Sequence, residues 1–433
     1  MKLRNVVVPL CLFAALITGA RAQSVSNPRT ITVSPDGSGA AYSSLSSALG
    51  AISDASASNR YVILVYPGIY TGSNNVGLRW KSYVSLRGVD RNATIIRGST
   101  SGNTVIPLID ASMLQGIEIS NITLDGSAQV AEFGYEQNGS TNVCGATIVF
   151  NNVNYVSGDT GSFPGVCISS DPEAFIGEDC DQPGDVTVRN SDTGIIADFG
   201  GNWLIANSRV HASGGASGEA VVAYIRTGSG GSTFAGGTTI VGSTLEATGT
   251  GASMDSVTAL YVAASLSTGP VRVTGSSLTA RSTSSSGSGS TRVVYPGGAA
   301  DSVLIEGSTL VYQSVSGASG GLFYGVFTGA GTDAAVDVRG SIIRSVGSGG
   351  TRADVVHDSN GAAVTLAGVD YSTVAGNATA DIATSDFRQA TFSSDLTIPL
   401  AAPSAAANGK LYINGSNQLC WRSGGAARCI TGS

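Results

Sequence analysis

Residues 31–95 read ITVSPDGSGAAYSSLSSALGAISDASASNRYVILVYPGIYTGSNNVGLRWKSYVSLRGVDRNATI, and the order of elements in this stretch decides the fold. A short strand from Thr30 to Val33 leads through the turn Asp36-Gly37-Ser38-Gly39 into a helical stretch from Leu45 to Ile52. A buried strand from Tyr61 to Tyr66 follows and is closed by Pro67-Gly68-Ile69-Tyr70. Leu45, Ala48, Leu49 and Ile52 recur at helical spacing and give the helix one apolar face. Such a face closes the open end of a stack of coils, which would otherwise expose unpaired backbone edges. The stretch therefore predicts the capped entrance of an all-β, single-stranded right-handed parallel β-helix with a short N-terminal capping helix.

The rest of the chain supplies the coils. One strand type recurs as WLIANSRVHA (203–212), TTIVGSTLEA (238–247), VRVTGSSLTA (271–280), VLIEGSTLVY (303–312) and VDVRGSIIRS (336–345). With Ser208, Ser243, Ser276, Ser308 and Ser341 as anchors, the steps are 35, 33, 32 and 33 residues, a period that means stacked coils. A second strand type lies between, as in AVVAYIRTG (220–228), TALYVAAS (258–265), TRVVYPGG (291–298) and GLFYGVFTG (321–329). Alternate apolar side chains point into the coil, and the Gly-Ser in mid-pattern marks its corner. Residues 130–180 break the rhythm with more acidic residues and three cysteines, which marks an insertion or a loop-built site.

Three segments result: a signal peptide at 1–22, the β-helix at 23–390, and a linker with a C-terminal disulfide hairpin at 391–433. The first has a basic start (Lys2, Arg4), an apolar run from Val6 to Ile17 and the small-residue site Ala20-Arg21-Ala22, which predicts secretion to the cell surface or beyond. No later segment is long and apolar enough to predict a membrane span. Cys420 and Cys429 flank a short Gly-containing loop and are expected to pair. Among Cys144, Cys167 and Cys180, one pair and one free thiol are expected, with the pairing left open. The formal charge is −7 with 12% charged residues and no basic cluster, which excludes nucleic acid as the expected partner. No metal and no cofactor are expected. The oligomeric state is left open.

The second strand type aligns Asp198, Tyr224, Tyr261, Tyr295, Tyr324 and His357 in one column. If it faces outward, its rings offer apolar faces with polar tips on which sugar rings can rest, with Trp203 nearby. Tyr224, Tyr261, Tyr295, Tyr324 and Trp203 are therefore the candidate substrate-binding residues. The alternative is an inward aromatic stack that fills the coil.

The entrance stretch resembles the pectinesterase family and, more loosely, the pectin lyase-like superfamily of secreted parallel β-helices. That resemblance implies an extracellular, pectin-like acidic polysaccharide as partner and carbohydrate ester hydrolysis as activity. Asp198-Phe199-Gly200-Gly201-Asn202 resembles the family's nucleophile motif with one residue missing. Gly177-Glu178-Asp179 is the nearest counterpart of the acid/base motif. The resemblance thus implies Asp198 as nucleophile and Asp179 as general acid/base, with Arg226 a positional counterpart of the arginine that holds the nucleophile ionised. The chain departs from the family where its arginine and glutamine motifs should stand. A polysaccharide lyase is the less favoured enzyme, with the acidic loop at 171–181 as its calcium site. The rival from another class is a non-catalytic surface or adhesion protein that uses the same stack as a scaffold.

Overall fold

The computed structural model describes residues 27–429 except 99–107, 127–140, 157–165, 170–183, 199–200, 215–216, 227–236, 251–252, 264–269, 284–288, 297–301, 315–317, 329–334, 348, 358–363, 368, 374–377, 385–390, 393–410, 414–418 and 424–425. Within these residues the chain winds through three parallel sheets of 13, 11 and 11 strands, each strand pairing with its counterpart one coil away. This is the parallel β-helix expected from the sequence. The first sheet begins at Arg29–Val33 and ends at Thr391–Phe392.

Stacking like residues on like holds the coils together. In the first sheet Ile63, Leu86, Ile119, Phe150, Val188, Ile205, Ile240, Val273, Ile305 and Val338 occupy one register position in ten successive coils. None is more than 1% exposed. Each such residue leaves water almost entirely, which is worth about 1.5–3 kcal/mol for a side chain of this size.

The Gly-Ser corner is the most regular feature. The residue before each corner serine has positive φ: Asn207 (48°), Gly242 (56°), Gly275 (56°), Gly307 (56°) and Gly340 (50°). Asn and Gly are the residues that enter this conformation at least cost. The serine that follows is buried and bonds twice. Ser243 donates its hydroxyl to the Val241 carbonyl (2.9 Å) and accepts the backbone N–H of Ser208 (3.2 Å). Ser276 accepts from Ser243 (3.1 Å), Ser308 from Ser276 (3.2 Å) and Ser341 from Ser308 (3.1 Å). Backbone donors that the corner removes from the sheet are thereby satisfied.

The entrance behaves as its sequence predicts. A helix spans Leu45–Ala51, capped by Ser44, whose Oγ accepts the N–H of Ser47. Leu45, Ala48 and Leu49 are buried, and the helix packs against the Arg29–Val33 edge strand. Lys81 donates its ammonium to the Leu49 and Ile52 carbonyls (2.6 Å each), a cation at the end of the helix where orphan carbonyls gather. At the far end, Leu411–Ile413, Leu419–Ser423 and Ala426–Cys429 form a small antiparallel sheet with Cys420 directly opposite Cys429.

Candidate functional site

The second sheet departs from simple alternation, and that departure makes its outer face. In the strand Ser290–Pro296, Val293 and Val294 are both fully buried, whereas Arg292 and Tyr295 on either side are half-buried. Two successive inward residues bring the flanking outward side chains together. The Arg292 guanidinium carbon lies 4.3 Å from the Tyr295 ring centroid and 4.8 Å from that of Phe327. In the next coil Gly325 and Val326 are the inward pair, and Tyr324 stacks on Phe327 with centroids 5.1 Å apart and ring planes 13° from parallel. In the preceding coil Ala259 and Leu260 are the inward pair and Tyr261 is half-buried.

The register puts Tyr224 beside Tyr261 and Tyr261 beside Tyr295. Val294 pairs with Val326, so the position after Tyr295 belongs to Phe327. Ring contacts follow the register: Tyr261 to Tyr295 is 5.1 Å and Tyr295 to Phe327 is 5.4 Å between centroids. These distances lie in the favourable range for aromatic pairs, worth about 0.5–1.5 kcal/mol each beyond area burial. Arg292 adds a cation–π contact of about 0.5–2 kcal/mol, depending on how far it is desolvated. Burial beneath this cluster raises the Tyr324 hydroxyl above its ordinary pKa, with Arg292 opposing.

Followed toward the N-terminus, the same register position becomes polar. Tyr224 pairs with Ala197, Ala197 with Ser169, Ser169 with Asn142, Asn142 with Asp110 and Asp110 with Arg79. Asp110 Oδ2 accepts from Arg79 (2.6 Å). Its Oδ1 accepts the Ser112 N–H (3.1 Å), the Ser112 hydroxyl (2.8 Å) and the Asn142 amide (3.5 Å). Arg79 also donates to the Ser112 carbonyl (2.7 Å), and Asn142 in turn accepts the Cys144 N–H (3.2 Å). The carboxylate is fixed from several sides, with one quarter of its side chain exposed. Asp110 was invisible to motif reading because its partners come from coils 31 and 32 residues away. The only local signal is the Asp110-Ala111-Ser112 turn.

The residues expected from the sequence fall into several places. Tyr261 and Tyr295 lie on the outer column, and Tyr224 shares its register. Tyr324 is not in that position; it pairs with Arg292 and Ala353, and Phe327 takes the place expected for it. His357 pairs with Thr328, so Val356 follows Phe327 in the column. Asp198 ends the strand Ile195–Asp198 one residue off the tyrosine column, aligned with Ile225 and through it with Val262, both buried. Arg226 ends the strand Ser217–Arg226 and pairs with Ala263. Trp203, expected on the sugar-contacting face, is 2% exposed inside the first sheet; the strand Gly201–Ala206 alternates and Trp203 falls on its inward parity with Ile205. Asp179 and the acidic loop at 171–181 lie outside the described residues. Cys167 is a buried free thiol, pushed up to about 12 mainly by burial, with weaker opposing hydrogen bonds from the Gly194 backbone and Thr193. Among the described residues no group of three His, Cys, Asp or Glu side chains is placed to hold a metal.

No family profile and no curated protein matches the sequence. Among solved structures, pectin methylesterase from carrot is similar at 13% identity and a TM-score of 0.38, over 86% of this chain and 90% of that one. The A-module of the Azotobacter vinelandii mannuronan C-5 epimerase AlgE6 is similar at 14% identity and a TM-score of 0.33, over 79% of this chain and 94% of that one. Tailspike protein 3 of bacteriophage CBA120 is similar at 10% identity and a TM-score of 0.36, over 86% of this chain and 64% of that one. The fold is a parallel β-helix by its own three parallel sheets, and a fold leaves the activity open.

Proposed function

We propose that the protein is a secreted polysaccharide-binding β-helix that holds an extended glycan along the outer column of its second sheet. The observation that carries this reading is the ring stack Tyr261–Tyr295–Phe327, half-buried, outward-facing and in register over three coils. Parallel strands repeat about every 4.8 Å, so each coil offers one more ring to a chain lying along the stack. Ring faces suit the C–H faces of sugars. The chemistry needs no moving part, because the rings are fixed by each other and by Arg292.

The test is retention of the full chain on immobilised polysaccharides, compared between wild type and Tyr295→Ala. Loss of one central ring is expected to weaken binding about tenfold or more, equivalent to about 1.4 kcal/mol. Equal retention of the two proteins on every glycan would remove this reading.

Ester hydrolysis is the second reading, favoured by one observation: Asp198 and Arg226 sit on neighbouring strands, one residue out of register, beside the tyrosine column. On it, Asp198 attacks the ester carbonyl, Asp179 moves the proton and Arg226 holds the nucleophile ionised. Methanol release from methylated pectin that disappears in Asp198→Ala would establish it. No release from the wild-type protein on several esters would leave binding alone.

A further inference from the structure

From the charge and geometry of this face we infer that its ligand is a neutral polysaccharide and not a polyanionic one. The inference rests on the glycan-binding reading above. Its first support is what Arg292 already does. The guanidinium lies on two ring faces, 4.3 Å from the Tyr295 centroid and 4.8 Å from the Phe327 centroid, and its Nε is buried without a hydrogen-bond partner among the described residues. A residue kept to receive carboxylates would present its fork of N–H donors to solvent in bidentate geometry. Here the buried Nε is closed to a side-on carboxylate, and the guanidinium plane rests on the rings.

The rings themselves give the second support. An aromatic face is the negative side of its quadrupole, so it attracts C–H groups and cations and gains nothing from a carboxylate laid upon it. At the other end of the same column the exposed charges cancel, because Arg79 is engaged by Asp110 and both nitrogens of its fork are taken by Asp110 and Ser112.

The third support is the make-up of the column itself. From Asn142 through Ser169, Ala197, Tyr224, Tyr261 and Tyr295 to Phe327 its register positions carry no charged residue. A glycan with one negative charge on each sugar would find no row of cations along these positions. A neutral chain needs none.

The experiment uses the full chain and two kinds of probe: neutral glycans (a β-glucan, a xylan and a galactan) and polygalacturonate, each titrated at low and near-physiological salt. Wild type, Tyr295→Ala and Arg292→Gln are compared, and Tyr295→Leu serves as the second ring variant should Tyr295→Ala fail to fold. The expected result is binding of at least one neutral glycan, weakened about tenfold or more by loss of the Tyr295 ring and altered less than about twofold by salt. Tighter binding of polygalacturonate that is lost with salt, and lost in Arg292→Gln as well as in the ring variant, would overturn the inference while keeping the glycan-binding face. Binding of neither probe, or binding indifferent to the Tyr295 ring, would overturn the face and the inference together.

Discussion

The corner serines and the outer column of the second sheet run through the same coils, yet one repeats and the other changes at nearly every step. Ser208, Ser243, Ser276, Ser308 and Ser341 perform one task each time, accepting the backbone N–H of the serine in the coil before. The outer column instead passes from Arg79, Asp110 and Asn142 to Tyr224, Tyr261, Tyr295 and Phe327. A position that serves the stack is solved once and reused, because every coil meets the same geometry. A position that serves a ligand is free to differ, because the coil closes without it. On the proposed reading the corner carries stability and the column recognition, and each can be tested by asking whether a substitution moves the wrong property.

The largest effect is expected at the corner. Ser276→Ala removes the acceptor for the buried Ser243 N–H and leaves that donor without a partner. An orphaned buried donor costs about 1–3 kcal/mol. Chemical denaturation should report a loss of that size while glycan retention of the folded protein is unchanged. If Ser276→Ala lost binding at full stability, the corner would have a ligand role and the division would fail.

How much could be read from the chain follows the same line. The corner was legible because φ near +56° demands Gly or Asn, and the buried serine beside it repeats at a nearly constant step. The capping helix was legible because its apolar face and its Ser44 cap are local. The register of the second sheet was not legible. Two inward residues in succession, such as Val293-Val294, break the alternation on which the column was drawn. The aromatic-rich stretch Phe323 to Phe327 offers three rings for one slot, and the sequence pattern aligns Tyr324 where the fold puts Phe327. Trp203 is expected on the sugar-contacting face, although the strand's own alternation puts it inside. The Asp110 cluster joins residues from three coils that share no motif, so only the fold brings it together.

A second prediction concerns the interior of the second sheet. Cys167 is fully buried, and burial pushes its thiol up to about 12, well above the ordinary value of 9.0. In the unfolded chain the thiol loses its proton near that ordinary value, whereas the folded chain keeps it until about 12. Between these limits the folded state holds the extra proton, so the stability present below pH 9 declines as pH rises, by about 1.4 kcal/mol per pH unit. Denaturation curves taken from pH 8 to 11 should show the decline, and Cys167→Ala should shallow it. A slope unchanged by that substitution would move the effect to Tyr155, whose hydroxyl is also raised by burial in the same coil interior.

The smallest effect is expected where the proposed function is greatest. Tyr295 touches Tyr261, Phe327 and Arg292, but its ring is half-buried and no backbone donor depends on it. Tyr295→Ala removes two aromatic contacts and one cation–π contact, while Arg292 keeps its contact with the Phe327 ring. The net cost to folding should therefore stay near that of one aromatic pair, about 0.5–1.5 kcal/mol. Thermal unfolding of Tyr295→Ala beside Ser276→Ala sharpens the comparison, since the larger side chain should matter less to the fold than the smaller one. A loss at Tyr295 greater than at Ser276 would mean that the ring stack is a structural brace for the coils, and recognition would have to be sought at the polar end of the column around Asp110.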